Sequence, residues 1–276
     1  MLFTCPLCGA PLNEEQNRWY CPKGHSYDKA RSGYVNLLLA GGKHAKLPGD
    51  NKMMVASRQA FLNKGYYRPM ADVLCETAAK YLPEGGVLLD AGCGEGYYTA
   101  LMAEKLETAE KSAEVYGVDI SKFALDKAAR RRKDIRFAAA SVFHMPMTDD
   151  SVDLMTEVFA PYCGEEFARI LKPGGIMLLV IPAKLHLWEL KCAIYDEPYE
   201  NEVRDYPLEG FEFIESIPVD GEITLDNNED IQSLFQMTPY YYKTSEEGQR
   251  RAAALQQLTT RTSFEVLVYR KCDYSV

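Results

Sequence analysis

A glycine-rich turn between a short apolar run and a helical pattern constrains this chain more than any other feature. The run 87–90 predicts a buried strand, glycines follow at positions 92, 94 and 96, and Tyr97 begins a helix. Glycine permits backbone conformations and a close ligand approach that side chains forbid. The helix N-terminus beyond the turn offers unpaired amides and a partial positive charge to a carboxylate or phosphate. The turn therefore predicts a site for a nucleoside-bearing cofactor.

The spacing within this turn distinguishes between cofactor classes. A dinucleotide fingerprint reads Gly-x-Gly-x-x-Gly, but here the third glycine comes one residue early and Asp90 precedes the turn. This disfavours a nicotinamide oxidoreductase. The next predicted strand ends at Asp119, whose carboxylate can accept both ribose hydroxyl protons of an adenosine. Asp119 lies 29 positions after Asp90, later than the usual ~20, because an acidic, alanine-rich loop intervenes. Ser141, after the third strand, is placed to line an adenine pocket.

Short apolar runs alternate with helical patterns from position 86 onward, which predicts right-handed crossovers and a mostly parallel α/β sheet. The predicted strands are 87–90, 115–119, 135–139, 152–158, 175–181, 211–219, 222–225 and 263–270, and the predicted helices are 97–105, 121–132, 165–171, 231–237 and 246–258. The last strand is expected to close the sheet antiparallel. Before the sheet, one helix is predicted to start after an N-cap at Asp50 and to end at Gly65, and a second starts near Pro69.

Four metal-ligand residues stand near the start of the chain at a zinc spacing. Cys5 and Cys8 form one half-site, and Cys21 and His25 form the other, with twelve residues between the two. Three thiolates and one imidazole close a tetrahedron around Zn²⁺ and leave no position for water, so the predicted site is structural. A thiol redox role is the alternative for Cys-x-x-Cys, but no thioredoxin-like strand pattern surrounds it. A segment this short needs the metal for its stability.

These patterns divide the chain into three predicted parts. Residues 1–35 form a small N-terminal zinc-binding module, residues 36–82 a basic connector with helices, and residues 83–276 the cofactor-binding domain. With 276 residues, 47% of them hydrophobic, the chain can bury one sizeable core and a small second one.

Composition and charge restrict the location and the partners. No apolar run reaches the ~18 residues of a membrane span, and the first residues lack a signal-peptide pattern, so we expect a cytoplasmic protein with no membrane partner. The net charge is −9, yet the first 70 residues hold ten basic and four acidic side chains. That basic end would attract a polyanion, and the acidic remainder would repel it. The alternative is a chance asymmetry on solvated faces.

Three landmarks in this order resemble the Rossmann-like S-adenosylmethionine-dependent methyltransferases. They are Asp90-Ala91-Gly92-Cys93-Gly94-Glu95-Gly96, Asp119 and Leu171-Lys172-Pro173-Gly174-Gly175. Together with the zinc knuckle, the chain resembles a narrower family end to end, the 23S rRNA guanine-N1 methyltransferases called RlmA. This resemblance rests on Gly33-Tyr34-Val35-Asn36-Leu37-Leu38, Pro48-Gly49-Asp50, Arg58-x-Ala60-Phe61-Leu62, Gly65-Tyr66-Tyr67-x-Pro69, Ala160-Pro161, His186-Leu187-x-Glu189-Leu190-Lys191 and Met237-Thr238-Pro239. One departure is Tyr162, where relatives carry a small residue or cysteine.

The RlmA resemblance implies a reaction, two cofactors and a partner. It implies structural Zn²⁺ on the four N-terminal ligands and S-adenosylmethionine contacts at Tyr67, Glu95, Gly96 and His186. Asp90, Gly92, Gly94, Asp119 and Ser141 complete the predicted cofactor-binding set. The implied reaction is methyl transfer to N1 of one guanine in a hairpin loop of 23S rRNA. The family has two branches that modify neighbouring guanines, one of them linked to tylosin-type macrolide resistance, and the sequence does not assign the branch. A homodimer is a possible assembly.

Guanine N1 carries a proton that must leave when the methyl group arrives, and a carboxylate or histidine can take it. The candidates are Glu157, His186 and Glu189, none of them assigned as the base. The segment 159–162, Phe-Ala-Pro-Tyr, could contact and stack on the target base. For the RNA, the basic connector with Lys43, His44, Lys46 and Lys52 is favoured over the tyrosines at 240–242.

Two alternatives belong to other function classes. The same fold could methylate a small molecule, in which case the zinc module would be a lid or a dimer contact. The chain could also be a non-catalytic, zinc-dependent RNA-binding protein, which the intact turn after Asp90 and the carboxylate of Asp119 disfavour.

Overall fold

The computed structural model describes residues 1–39, 49–203 and 206–273. The strands are β1 (Asn13–Glu14), β2 (Arg18–Tyr20), β3 (Ser26–Asp28), β4 (Val35–Asn36), β5 (Gly86–Ala91), β6 (Ala113–Asp119), β7 (Arg136–Ala139), β8 (Val152–Val158), β9 (Leu171–Pro182), β10 (Phe211–Leu225) and β11 (Leu258–Lys271). The helices are α1 (Lys52–Asn63), α2 (Arg68–Tyr81), α3 (Tyr97–Thr108), α4 (Lys122–Arg131), α5 (Gly164–Ile170), α6 (Trp188–Ile194), α7 (Asn228–Met237), α8 (Tyr240–Lys243) and α9 (Glu246–Ala254).

An eight-stranded sheet forms the centre of the described structure, with strand order β10-β11-β9-β8-β5-β6-β7-β4. The strands from β9 to β4 pair in parallel, whereas β11 pairs antiparallel with both β9 and β10. The predicted mostly parallel α/β sheet with an antiparallel last strand is confirmed. Because β5 lies between β6 and β8, successive connections leave it in opposite directions and open a crevice at the carboxyl ends of the strands.

Apolar side chains fill both faces of this sheet, as expected for parallel strands covered by helices. On one face, residues of α1, α2, α3, α6 and α7 form a core with Leu88, Leu154 and Leu178. On the other face, α5 and the N-terminal residues pack against Leu89 and Met155. The predicted short apolar runs are therefore the buried centre of the molecule.

The N-terminal zinc-ligand segment packs onto the main sheet. Strands β1 to β3 form a small antiparallel sheet, and β4 pairs in parallel with β7 of the large sheet. Phe3 stacks on Trp19 with ring centroids 5.0 Å apart and meets the edge of Tyr116 in β6 at 5.6 Å. Through these buried rings, the N-terminal segment packs into the hydrophobic core that covers β6.

Several element boundaries differ from the predictions. The N-cap of α1 is Asn51, whose side chain accepts the Met54 amide, because the carboxylate of Asp50 pairs instead with Arg58. The helix predicted at 246–258 ends at residue 254, since Leu258 already pairs in β11. The strands predicted at 211–219 and 222–225 form one continuous strand. The turn at 172–175 is a bulge within β9, opposite a register shift in β8.

Among the described residues, no helix combines the length and the apolar character that a membrane crossing requires.

Candidate functional site

The four predicted metal ligands converge in the N-terminal segment. The ligand atoms of Cys5, Cys8, Cys21 and His25 all lie within 4.8 Å of one another. The Sγ atoms of Cys8 and Cys21 are 3.7 Å apart, and the Nδ1 atom of His25 lies 3.3 Å from Cys5 Sγ and 3.4 Å from Cys21 Sγ. Tetrahedral zinc, with bonds of about 2.3 Å to sulfur and 2.0 to 2.1 Å to nitrogen, implies separations of roughly 3.5 to 3.8 Å. The donor set therefore fits structural Zn²⁺.

Local turns and hydrogen bonds prepare these thiols for metal binding. The amides of Cys8 and Gly9 donate to the Cys5 carbonyl, and the Cys21 amide donates to the His25 carbonyl. Although burial raises the pKa of Cys5, hydrogen bonds from the Tyr27 hydroxyl and from nearby amides lower it to about 6. Because the thiolate is the form that binds metal, the fold favours zinc at this position.

The glycine turn after β5 holds the backbone in left-handed conformations, with φ of 84° at Gly92, 54° at Gly94 and 76° at Gly96. A Cβ at Gly92 would come within 2.3 Å of the Ala160 Cβ, and one at Gly96 within 2.9 Å of the Ala128 Cβ. These two glycines are needed for packing. A Cβ at Gly94 would instead meet only the Arg58 guanidinium, at an ordinary contact distance of 3.7 Å, so packing at this glycine is less tight than at the other two.

The carboxylates of Asp90 and Asp119, both predicted site residues, form hydrogen bonds at and around this turn. Asp90 is buried, and its oxygens accept the hydroxyls of Thr99 and Thr156; burial raises its pKa to about 6, against these two hydrogen bonds. Asp119 accepts the Gly94 amide at 2.9 Å and the Ser121 amide at 2.7 Å, and burial raises its pKa against both amides. Asp90 thus ties α3 and β8 to β5, while the partly exposed Asp119 holds the turn and remains accessible.

The buried carboxylate of Glu95 and the guanidinium of Arg58, a residue that the sequence did not predict for the site, lie beside Gly94. Glu95 is 2% exposed, and its Oε1 atom has no hydrogen-bond partner within the described part of the chain. Burial raises its pKa, against the positive charge of Arg58. Arg58 was not among the predicted site residues. The sequence did contain a signal for Arg58. It lies three residues after Val55 and four before Leu62, on the buried face of α1, where a charged side chain is rare unless it has a partner.

Tyr67 and His186, two predicted residues 119 positions apart in the chain, meet in the structure. The Tyr67 hydroxyl lies 3.2 Å from His186 Nε2, and the Ser263 amide donates to His186 Nδ1 at 3.2 Å. An acceptor at Nδ1 places the imidazole proton on Nε2. Burial, together with the charge of Lys191, lowers the pKa of His186 to about 3. His186 is therefore a neutral, fully engaged side chain and a poor proton acceptor.

A buried lysine holds the loop that carries His186. The Lys191 ammonium is fully buried and donates to the Tyr199 carbonyl at 2.9 Å and to Asn201 Oδ1 at 2.6 Å. The amide group of Asn201 in turn donates to the Ala183 carbonyl at 2.9 Å. This chain of hydrogen bonds sets the path of the backbone from β9 to α6.

The remaining predicted residues have other partners. Glu189 accepts Thr260, the Arg261 amide and the Arg261 guanidinium; although burial raises its pKa, Arg261 lowers it to about 2, so Glu189 is a weak base. Glu157 is buried at the end of β8 and accepts the Ala160 amide. Ser141 accepts the Phe143 amide at 3.3 Å. Lys43, His44 and Lys46 lie outside the described residues.

The turn after β8 brings an exposed aromatic ring to the same edge of the sheet. Phe159 has φ of 56° and is 45% exposed. The Ala160 side chain packs against Gly92, so the backbone of this turn lies against the glycine turn, and the Phe159 ring lies 5.7 Å from the ring of Phe264. A left-handed conformation is costly for a bulky residue and is often found at functional sites.

Two family models match the chain. One, described as RlmA, N-terminal, covers residues 3–46, and the other, described as a methyltransferase domain, covers residues 82–232.

Three curated relatives match along most of both chains. A protein of Micromonospora griseorubida assigned as a 23S rRNA (guanine-N1)-methyltransferase is 37% identical over 68% of this chain and 68% of its own length. The 23S rRNA (guanine(748)-N1)-methyltransferase of Streptomyces fradiae is 38% identical over 70% of this chain and 67% of its own length. A Bacillus subtilis protein assigned to 23S rRNA guanine-N1 methylation is 31% identical over 71% of this chain and 70% of its own.

We predict one Zn²⁺ per chain, and its removal should unfold the N-terminal segment because four ligands replace most of its core. Trp19 is 1% exposed and stacks on Phe3, so its emission should shift to the red with EDTA or in Cys8→Ser. The measurement combines metal content with fluorescence in a Trp188→Phe background. Cys192→Ser, which changes an exposed cysteine outside the cluster, should keep zinc and spectrum. A metal-free protein with an unshifted spectrum would contradict the prediction.

We also predict a pH dependence of stability that comes from His186. In the unfolded chain a histidine binds its proton near pH 6.5, whereas folded His186 has a pKa of about 3. The unfolded state therefore binds more protons between these values, and His186 lowers the free energy of unfolding as pH falls below 6.5, by up to about 1.4 kcal/mol per pH unit.

His186→Asn keeps an acceptor for the Ser263 amide but does not titrate, so its stability should fall less steeply than that of the unchanged protein. Urea unfolding between pH 7.5 and 4.5 measures both slopes. His144→Gln, at an exposed histidine, is the matched control for the loss of one histidine. Equal slopes for His186→Asn and the unchanged protein would refute the assignment.

Proposed function

Because the chain belongs to the 23S rRNA (guanine-N1)-methyltransferase family, we propose that it transfers a methyl group from S-adenosylmethionine to N1 of one guanine in 23S rRNA. The main support for this proposal is that one chain contains both a cluster of four zinc ligands and a glycine turn that is held by Asp119 and lies beside the buried Glu95. The turn fits a nucleoside bearing an amino acid, and the zinc-bearing segment matches the family model described as RlmA, N-terminal.

The residues around Gly94 provide complementary groups for the methyl donor. Asp119, at the end of β6, can accept the ribose hydroxyls. Glu95, with its unpartnered Oε1, suits an ammonium group, and Arg58 suits a carboxylate. S-adenosylmethionine supplies an electrophilic methyl group on a sulfonium, so the protein contributes mainly alignment.

We propose that the turn containing Phe159 forms the binding site for the target guanine. The Phe159 ring is exposed, with the ring of Phe264 5.7 Å away, and the next residue, Ala160, packs against Gly92. The hydrogen bond from the Ala160 amide to Glu157 closes the turn and so holds the ring in place. A flat, fixed ring at this edge can stack on a base.

Methylation of guanine N1 requires that the N1 proton leave. His186 and Glu189 are poor acceptors because each already holds several hydrogen bonds and has a low pKa. Glu157 stays the candidate, and a Glu157→Gln variant with an unchanged kcat would remove it.

We propose further that the target lies in a hairpin loop, since extruding an unpaired base costs less than extruding a paired one. The cytoplasm, where ribosomes are made, is the corresponding location. The division of the chain at residues 35 and 82 and the homodimer stay predictions.

Primer extension on 23S rRNA from cells with and without the gene tests the function. A methyl group on N1 blocks base pairing, so a stop present only in cells with the gene supports the proposal and identifies the nucleotide. Label from S-adenosylmethionine that enters only a small-molecule extract would instead favour small-molecule methylation.

We predict that Glu95→Gln weakens S-adenosylmethionine binding by about tenfold or more, because it removes a charge-assisted hydrogen bond. The same change should leave the melting temperature unchanged or raise it, since a buried carboxylate with one oxygen that lacks a hydrogen bond is costly. Calorimetric titration and thermal melts measure the two effects. Glu104→Gln on the exposed side of α3 is the control, and parallel losses of affinity and stability would argue against a binding role.

We predict that Phe159→Leu raises the KM for RNA by about fivefold to 100-fold, the range expected for one stacked base. Phe159→Tyr should retain the KM of the unchanged enzyme. Phe159→Asn, which tolerates the left-handed backbone, should lose stacking without added strain. Affinity for S-adenosylmethionine should stay constant in all three, and an unchanged KM in Phe159→Asn would exclude stacking.

A further inference from the structure

An open cleft between α1 and α4 lies outside the residues assigned above. Gln59 and Asn63 of α1 line one wall, and Lys127, Arg130 and Arg131 of α4 line the other. Phe123, Lys127 and Arg130 recur at helical spacing on one side of α4. The Lys52 ammonium of α1 lies 5.1 Å from the centre of the Phe123 ring, so cations are present on both walls.

This cleft is strongly basic in a protein that is acidic overall. Three of the five residues that line the cleft are basic, and residues 122–133 hold one acid, whereas the whole chain has a net charge of −9. The one acid, Asp126, binds Arg130 through two hydrogen bonds of 3.0 and 3.2 Å. Lys52, Lys127 and Arg131 form no ion pair with the described residues, so a surplus of positive charge faces solvent.

Arg131 links the cleft to the glycine turn. Its guanidinium lies 5.7 Å from the centre of the ring of Tyr97, the first residue of α3 after Gly96. The Nη2 atom donates to Asn63 Oδ1 at 3.1 Å, which ties the two walls together. At the opposite end of α4, the Ser121 hydroxyl donates to the Asp50 carbonyl at 2.7 Å. The cleft therefore runs beside the edge where Asp119 and Gly94 meet.

We propose that this cleft binds the sugar–phosphate backbone of the RNA next to the target nucleotide. The proposal rests on the proposed RNA-methylating function and deepens it by locating the phosphate contacts. Lysine and arginine neutralise phosphates, while amide side chains donate to phosphate and sugar oxygens. Such contacts carry no sequence information, but they set the position of the strand. A cleft that starts at the glycine turn can thus present one nucleotide to the methyl donor.

The test measures RNA binding across a range of salt concentrations. In Lys127→Gln/Arg130→Gln, affinity for a 23S hairpin transcript should fall about tenfold or more near 0.1 M salt. Each lost phosphate contact reduces the slope of log K against log salt concentration by about 0.7 to 0.9. The double variant should therefore lose about 1.4 to 1.8 from the slope, and Lys127→Gln alone about half of that.

Lys80→Gln/Arg270→Gln removes the same charge from exposed side chains, 60% and 46% exposed, on other elements. This control should keep the affinity and the slope of the unchanged enzyme. Affinity for S-adenosylmethionine and the melting temperature should be unchanged in both double variants.

The outcomes separate this inference from the function itself. An unchanged slope in the cleft variant, with rRNA methylation intact, would overturn the cleft and leave the function standing. Absence of rRNA methylation by the unchanged enzyme would overturn the function. Loss of S-adenosylmethionine affinity in the cleft variant would assign the cleft to the cofactor site instead. Polyglutamate, tested in the same binding assay, stands in for an acidic protein. If the cleft variant lost binding to polyglutamate but kept its binding to RNA, an acidic protein would be the occupant of the cleft and the inference would be overturned.

Discussion

The hydrogen bonds of one carboxylate, Asp119, organise the candidate site. Its two oxygens accept the amides of Gly94 and Ser121, so the left-handed glycine turn and the start of α4 are held by the same side chain. The Ser121 hydroxyl then reaches the Asp50 carbonyl and anchors the segment that leads into α1. Burial raises the cost of the charge, and the two amides offset that cost. The glycine turn and the α4 wall of the basic cleft share this anchor.

The N-terminal segment depends on two different stabilising forces. Its zinc ligands lie around a common point and leave no open coordination position, which makes the metal a structural element. Its few apolar rings do not form a core alone, since Phe3 and Trp19 pack against Tyr116 of the large sheet. The salt bridge from Arg136 to Glu14 spans the same boundary. Zinc therefore shapes the segment, and the sheet fixes its position.

Sequence patterns predicted the parts of the fold that depend on local order. The runs that became β5, β6, β7, β8 and β9 were apolar enough to identify, because parallel strands are buried on both faces. Errors arose where a tertiary partner decided the outcome. Asp50 does not cap α1 because Arg58 takes its carboxylate, and residues after 254 leave α9 because Leu258 pairs in β11. Arg58 lies eight positions after Asp50, and Leu258 pairs with Leu225 of β10, 33 positions before it. Neither contact follows from the local sequence pattern.

The same division holds for the site. Spacing along the chain was sufficient to predict that the four N-terminal ligand residues converge and that Asp119 ends the strand beside the glycine turn, because each set lies within a short segment or at a strand end. Only the tertiary structure joined Arg58 with Glu95, fixed the protonation of His186 through the Ser263 amide, and placed α1 against α4 to form the basic cleft. Those relations connect residues far apart in the chain, and their energies depend on burial and charge, which arise only when the chain is folded.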